Sequence, residues 1–291
     1  MPLAAKLSAY AIGPIWLCCW AAFLGVPLTL ALAPFTATPW PHFIALYLTM
    51  ALLGGVVLDP PVRRLDDDDG RIVPALNLVH PHGVVCHGIH SVMSNHRERA
   101  RVRRSTRYPV LITPVWLLVR GLLVQYRWTS APASAAAIST SMRESRDIWL
   151  YPGGFQEAAR HAYERDVVDV TSRGAIRLAL LHGYAIRVAF AFGERKTAHN
   201  LQGGWGLRMW LAKRGVPAVV PWFVVFGKSP VRLVVSRTLE LPLVTSPTER
   251  DVEQWHSAYV SRLCELHTAH KAPDDPPLLV IDKLHADFSR Q

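Results

Sequence analysis

The chain has 291 residues, with 32 Lys+Arg against 22 Asp+Glu and a formal net charge of +10 with histidine neutral. Half of its residues are hydrophobic and 19% are charged. That charged share is below the ~25% of an ordinary soluble domain, and the composition excludes a disordered, collagenous or coiled-coil chain.

The apolar residues are concentrated at the start. No Asp, Glu, Lys or Arg occurs between Lys6 and Asp59. Residues 10–32 form a run long enough to cross a hydrocarbon core at about 20 residues per span. A Pro-rich break at 34–41 (PFTATPWP) separates it from a shorter run at 43–58, which is marginal as a full span and fits a tilted or re-entrant one. The first run exceeds the about 7–15 residues of a signal-peptide core, and a second run follows it directly. Residues 1–60 are therefore expected to be a retained membrane-anchoring hairpin and residues 61–291 a cytosol-facing catalytic domain. A hairpin puts Lys6 and the Arg63-Arg64 pair on the same, cytosolic side, in weak accord with the positive-inside bias. Of the four cysteines, Cys18 and Cys19 are adjacent and none forms a C-x-x-C. They read as reduced thiols rather than a disulfide framework.

An acidic run at 66–69 reads as a solvated loop. From residue 72 onward short apolar runs alternate with helical stretches. Strands are expected at 72–79, 147–151, 185–192, 222–226 and 232–235, each rich in Val, Ile, Phe or Trp and bounded by Gly or Pro. Helices are expected at 139–146, 172–182 and 247–271. The middle one has legible ends, with Thr171 or Ser172 to cap it and Gly183 where a left-handed stop is needed. The alternation predicts an α/β domain built on a central mixed sheet flanked by helices. A basic block at 97–107 holds six Arg against one Glu. No recognition motif accompanies it, so an anionic membrane surface or a phosphorylated cofactor fits better than nucleic acid, with a solvated helix face as the plain alternative. The apolar stretch 108–128 fits a bilayer surface or buried core.

Two segments carry candidate chemistry. His80-Pro81-His82-Gly83 follows an apolar strand, and its Pro and Gly predict a tight, exposed turn. Histidine is the natural general base near neutral pH. Tyr151-Pro152-Gly153-Gly154-Phe155-Gln156-Glu157 also follows a strand. Its glycines allow backbone amides to approach a ligand, and Glu157 adds a carboxylate. A base, an acid and exposed amides at strand ends are the ingredients of acyl transfer. There is no G-x-S-x-G, no G-x-x-x-x-G-K-[ST], no H-E-x-x-H and no strand-borne G-x-G-x-x-G. His80, His82, His87 and His90 fall within eleven residues, so zinc is the rival chemistry. Their spacing fits neither a helix pair nor a finger, and no metal is expected. His267 and His270 read as a polar helix face.

These motifs resemble the type-2 diacylglycerol acyltransferase family, which includes monoacylglycerol and wax-alcohol acyltransferases. The family's H-P-H-G stands at His80–Gly83 and its P-G-G-x-x-E at Pro152–Glu157. A third block, 172–194, keeps Gly174, Ala179, His182, Gly183, Phe192, Gly193 and Glu194. The closing block, 251–271, is similar in its W/Y-H-x-x-Y and H-K pattern. The chain departs at Ser172, Ala175 and Val188, where the family has a basic residue, Phe and Pro. The wider glycerolipid acyltransferase superfamily places an Asp five positions after its His, and here His87 stands there.

The resemblance implies acyl transfer from acyl-CoA to a neutral-lipid hydroxyl, foremost diacylglycerol to triacylglycerol, with monoacylglycerol or a wax alcohol as alternative acceptors. A non-catalytic lipid-binding membrane scaffold is the alternative of another class. The base is expected to be His82, with His80 as structural partner or alternate, and Glu157 orients the imidazole. Gly83, Gly153 and Gly154 offer amides to the oxyanion, and Arg173 meets a phosphate of CoA. Acyl-CoA enters as co-substrate and no bound cofactor is expected. The resemblance also implies the endoplasmic reticulum membrane or a lipid-droplet surface, and a homo-oligomer is left open.

Overall fold

The computed structural model describes residues 62–65, 73–84, 86, 88–89, 92, 110–112, 129–131, 133–214, 218–219, 221–224 and 231–282. The expected hairpin, the acidic run, the basic block, most of 108–128, His87 and His90 lie outside these residues. In chain order the elements are β1 (Val62–Arg64), β2 (Leu76–His80), β3 (Val110–Ile112), β4 (Thr129–Ala131), α1 (Ala135–Arg143), β5 (Ile148–Leu150), α2 (Gly154–Ala159) and β6 (Asp166–Asp169). There follow α3 (Gly174–His182), β7 (Ile186–Phe192), a 3-10 turn (Glu194–Thr197), β8 (Ala198–Asn200), α4 (Trp205–Ala212), β9 (Pro221–Val224), β10 (Arg232–Val235), α5 (Glu249–His270) and β11 (Leu278–Ile281).

A seven-stranded mixed sheet runs in the order β1-β10-β7-β2-β5-β3-β4. From β7 to β4 all neighbours are parallel, and β10 is antiparallel to β7. The carboxyl ends of β2, β5 and β7 therefore open on one edge, where parallel sheets usually hold their ligands. Two small sheets stand apart, β6 with β11 in parallel and β8 with β9 antiparallel.

Side chains alternate along a strand, so Leu76, Leu78 and His80 share one face of β2. Leu76 and Leu78 pack there with Ile176 and Leu180 of α3 and with Tyr259 and Leu263 of α5. His80 is thereby aimed at the helix layer. The 22-residue α5 starts on a capping box: Thr248 Oγ1 accepts the Asp251 amide at 3.2 Å, and Asp251 Oδ2 accepts the Thr248 amide at 2.9 Å. Its buried positions Val252, Tyr259, Leu263 and Leu266 recur at helical spacing against the sheet.

Some expectations shift. Helix α3 stops at Gly183 in the left-handed region, as its sequence predicts, but it starts at Gly174 with Arg173 at the cap. The Thr171 hydroxyl instead donates to Asp169 at 2.6 Å. Helix α1 begins four residues early, at Ala135, because Ser134 accepts the Ala137 amide at 3.3 Å. His267 is buried, not part of a polar face, with its ring 4.9 Å from that of Phe190 and Nε2 3.5 Å from Asp166.

Candidate active site

The H-P-H-G turn leaves β2 at His80, which is joined to Pro81 by a cis peptide bond. The turn is not exposed as its residues predict. His80 is 0% and His82 5% exposed. Buried imidazoles need partners: the His80 ring finds Glu157 and Tyr259, and the His82 ring finds its neighbour's carbonyl.

Glu157 lies in the first turn of α2, directly after β5, and is 1% exposed. Its Oε2 meets His80 Nδ1 at 2.8 Å and accepts the Asp169 amide at 2.8 Å. Its Oε1 accepts the His82 amide. Glu157 therefore orients the ring of His80 and the main chain of His82, whereas the sequence suggested that it orients the His82 ring. The other nitrogen of His80, Nε2, meets the hydroxyl of Tyr259 on α5. With the proton on Nδ1 facing the carboxylate, Nε2 accepts from the phenol. Both nitrogens of His80 are committed to protein partners, so the ring is not available as a zinc ligand.

The glycines serve this carboxylate cage. A Cβ on Gly153 would stand 2.2 Å from Glu157 Oε2 and 2.9 Å from the Asp169 carbonyl oxygen. At Gly83, φ is +63° and a Cβ would stand 2.2 Å from Glu194 Oε1. Both positions are glycine because a carboxylate occupies the space where a side chain would begin. Glu194, just past β7, also accepts the Gly88 amide at 3.0 Å, so it braces the turn from the opposite side to Glu157.

His82 is held differently. Its Nδ1 donates to its neighbour's carbonyl, Gly83 O, at 2.8 Å, which fixes the tautomer and leaves the lone pair on Nε2. Nε2 meets the Cys86 thiol at 3.8 Å. Tyr151 and Phe155 wall the ring, with centroids 4.7 and 6.3 Å away, and Tyr151 is fixed by the Ile89 amide, which donates to its hydroxyl at 3.0 Å. Burial is the main cause that lowers the His82 pKa below its ordinary 6.5, against the opposing pull of the Gly83 carbonyl and the two carboxylates. The ring is thus neutral at pH 7, the form a base requires. Burial pushes the Cys86 thiol well above its usual range, with Glu194 and Glu157 adding to the effect. Cys86 is a protonated neighbour and not a thiolate nucleophile.

Two other expected residues are occupied elsewhere. The Gly154 amide donates to the Tyr151 carbonyl at 3.2 Å, leaving Gly83 and Gly153 as the candidate oxyanion donors. Arg173 grips Glu253 through Nε and Nη2 at 3.2 and 3.1 Å. Its Nη1 donates to Asp282 at 2.5 Å and to the Val170 carbonyl at 2.9 Å. It ties α3 to α5 and to the segment after β11, and does not stand ready for a CoA phosphate. Among the described residues one group has metal-ligand spacing, Glu253, His256 and Asp282. The Arg173 guanidinium already neutralises both of its carboxylates.

Tyr259, Tyr151, Asp169 and Glu194 complete the site and were not singled out as functional from sequence. Tyr259 and Glu194 fall inside the closing and third motif blocks. Nothing local says that Tyr259 reaches His80 across 179 positions.

The comparisons with known proteins bear on the family. The family model described as Diacylglycerol acyltransferase matches residues 75–278. The chain is similar to human diacylglycerol O-acyltransferase 2, 24% identical over 216 residues, 66% of this chain and 55% of that protein. It is also similar to human 2-acylglycerol O-acyltransferase 3, 25% identical over 221 residues, 66% of this chain and 63% of that protein. A Bos taurus diacylglycerol O-acyltransferase 2 is 27% identical over 143 residues, 43% of this chain and 39% of that protein. The matched region thus spans less than two thirds of the length of each of these relatives. Among solved structures, a 1-acyl-sn-glycerophosphate acyltransferase from Thermotoga maritima overlays with a TM-score of 0.46 at 11% identity, covering 93% of this chain and 97% of that chain. A family model that covers most of the chain, both motifs included, decides the assignment: the chain belongs to the diacylglycerol acyltransferase family.

Proposed function

We propose that this chain transfers a fatty acyl group from acyl-CoA to the free hydroxyl of diacylglycerol, forming triacylglycerol. The observation that carries the reading is the state of His82: a neutral imidazole, its tautomer set by Gly83 O, whose Nε2 lone pair meets a weak donor, the Cys86 thiol at 3.8 Å. The acceptor hydroxyl gives its proton to Nε2 as its oxygen attacks the thioester carbonyl. The carbonyl oxygen becomes an oxyanion, to which the amides of Gly83 and Gly153 donate. Collapse forms the ester bond and breaks the C–S bond. The leaving thiolate, of pKa near 8.5, takes the proton back from the imidazolium. His80 does no proton transfer here; it links Glu157 to Tyr259 and so holds the turn that presents His82. Acyl-CoA is the co-substrate, and the scheme calls on no bound cofactor.

The apolar runs at 10–32 and 43–58 support attachment to the endoplasmic reticulum membrane or a lipid-droplet surface with the domain facing the cytosol. Among the described residues no helix is long and apolar enough to cross a membrane. An interfacial site would let diacylglycerol arrive from the bilayer and acyl-CoA from water. The likeness to 2-acylglycerol O-acyltransferase 3 favours monoacylglycerol as the second acceptor to test. Purified full-length protein incubated with labelled acyl-CoA and a panel of diacylglycerol, monoacylglycerol and long-chain alcohol is expected to yield triacylglycerol fastest. Free fatty acid alone would mean a hydrolase, and no product would mean a lipid-binding scaffold.

A further inference from the structure

The small sheet of β6 and β11 carries apolar side chains on both faces, with Asp166 and Asp169 at the ends of β6. The two strands pair in parallel with Leu279 opposite Val167 and Val280 opposite Val168. Alternation sends Val168, Leu278 and Val280 to the main core, and Val167, Leu279 and Ile281 to the opposite face. An apolar sheet face needs a covering layer. Helix α4 supplies Trp205 and Met209 for this but does not close the gap, and a cavity of about 200 Å³ remains between them.

Two arginines, Arg160 and Arg165, are among the residues that line this cavity. Arg160 uses one nitrogen on Asp169. Arg165 is exposed and has no hydrogen bond or ion pair among the described residues. An apolar trough with two under-used guanidinium groups fits a molecule that is greasy along its length and anionic at its end. The same helix points to where such a molecule comes from. Leu207 is 66% and Trp210 50% exposed, and the Arg214 guanidinium lies 3.8 Å over the Trp210 ring. Exposed Leu and Trp with flanking cations are the face of a helix that rests on a lipid–water boundary.

We propose that the β6–β11–α4 cavity binds a single-chain anionic amphiphile, its alkyl chain on Val167, Leu279 and Met209 and its carboxylate or phosphate on Arg160 and Arg165. The cavity is lined by residues other than those assigned to the proton transfer, and its test reads binding alone, so it stands whether or not the chain transfers acyl groups. Dodecanoate, dodecyl phosphate and uncharged dodecanol are titrated calorimetrically into the full-length chain in a non-ionic detergent, with the detergent blank subtracted. At least one of the two anions is expected to bind ten times or more tightly than dodecanol. Which anion is tighter distinguishes a fatty acid from a phosphorylated lipid as the natural source. Arg165→Gln removes a surface cation with no described partner and is expected to weaken the anion about tenfold, the size of one charge-assisted contact. Gly206 lines the cavity, and a Cβ there meets nothing within 4 Å. Gly206→Leu is therefore expected to keep the fold, raise helix propensity and block binding. Anions that bind no better than dodecanol, or binding unmoved by both substitutions, would overturn the proposal.

Discussion

His80 and His82 are two residues apart, equally buried, and fixed in opposite ways. The first is gripped at both ring nitrogens, by Glu157 and Tyr259. The second is gripped at one, by its neighbour's carbonyl, and its other nitrogen meets the Cys86 thiol at 3.8 Å, a weak donor that a substrate hydroxyl can displace. The difference comes from strand geometry. His80 is still in β2, so alternation drives its ring into the helix layer, where α2 and α5 meet it. His82 has left the strand, and its ring lies among Tyr151, Phe155 and Cys86. One histidine has become part of the scaffold, and the other keeps the ring nitrogen to which we assign the proton transfer.

The largest effect is expected at the residue both depend on. Glu157→Ala leaves the His80 ring and the amides of His82 and Asp169 without their buried acceptor. It should abolish turnover and lower unfolding stability by about 3 kcal/mol, read by thermal melting beside the acyl-transfer assay. His80→Ala is expected to act mainly on the scaffold, lowering stability by about 2 kcal/mol and removing part of the activity. If it left stability unchanged, His80 would not be the structural partner described. Tyr259→Phe deletes one hydroxyl. Its expected cost is about 1 kcal/mol of stability, and turnover stays within about tenfold of wild type.

Acid gives a finer separation. Burial, the leading cause, sets the folded pKa values of His82 and His161 below the 6.5 of the unfolded chain. As pH falls, the unfolded chain binds these protons first. The contribution to stability is complete above pH 6.5 and declines below it toward the folded values. The acid limb of kcat/KM should likewise lie below pH 6.5, because the buried base stays neutral longer than a free imidazole. A limb above 6.5 would contradict the burial of His82.

Much of the fold was legible because long patterns survive in the residues. The expected strands at 72–79, 147–151, 185–192, 222–226 and 232–235 correspond to β2, β5, β7, β9 and β10, and the 22-residue α5 lies within the helix expected at 247–271. The strands β1, β3, β4, β6, β8 and β11, of three or four residues each, were not expected; at that length no period shows, and a strand such as β5 or β10 is read only from an apolar run bounded by turn residues. β6 also reads as a loop, because Asp166 and Asp169 flank only two valines. Helix α2 is hidden inside the P-G-G-x-x-E motif. At the site, the residue types His80, His82 and Glu157 were readable, and their pairing was not. Which ring Glu157 reaches depends on the face His80 occupies at the last position of β2 and on the reversal at Gly153. Arg173 misled for a related reason: its partners, Glu253 and Asp282, are 80 and 109 positions away.

The most direct test of the division between the two histidines is the turnover of His82→Ala, measured alongside its melting temperature. The expected result is a loss of about 10²–10⁴-fold in acyl transfer, the usual worth of a general base, with a melting temperature close to wild type. A His82→Ala protein that folds normally and still esterifies its acceptor at the wild-type rate would contradict the account.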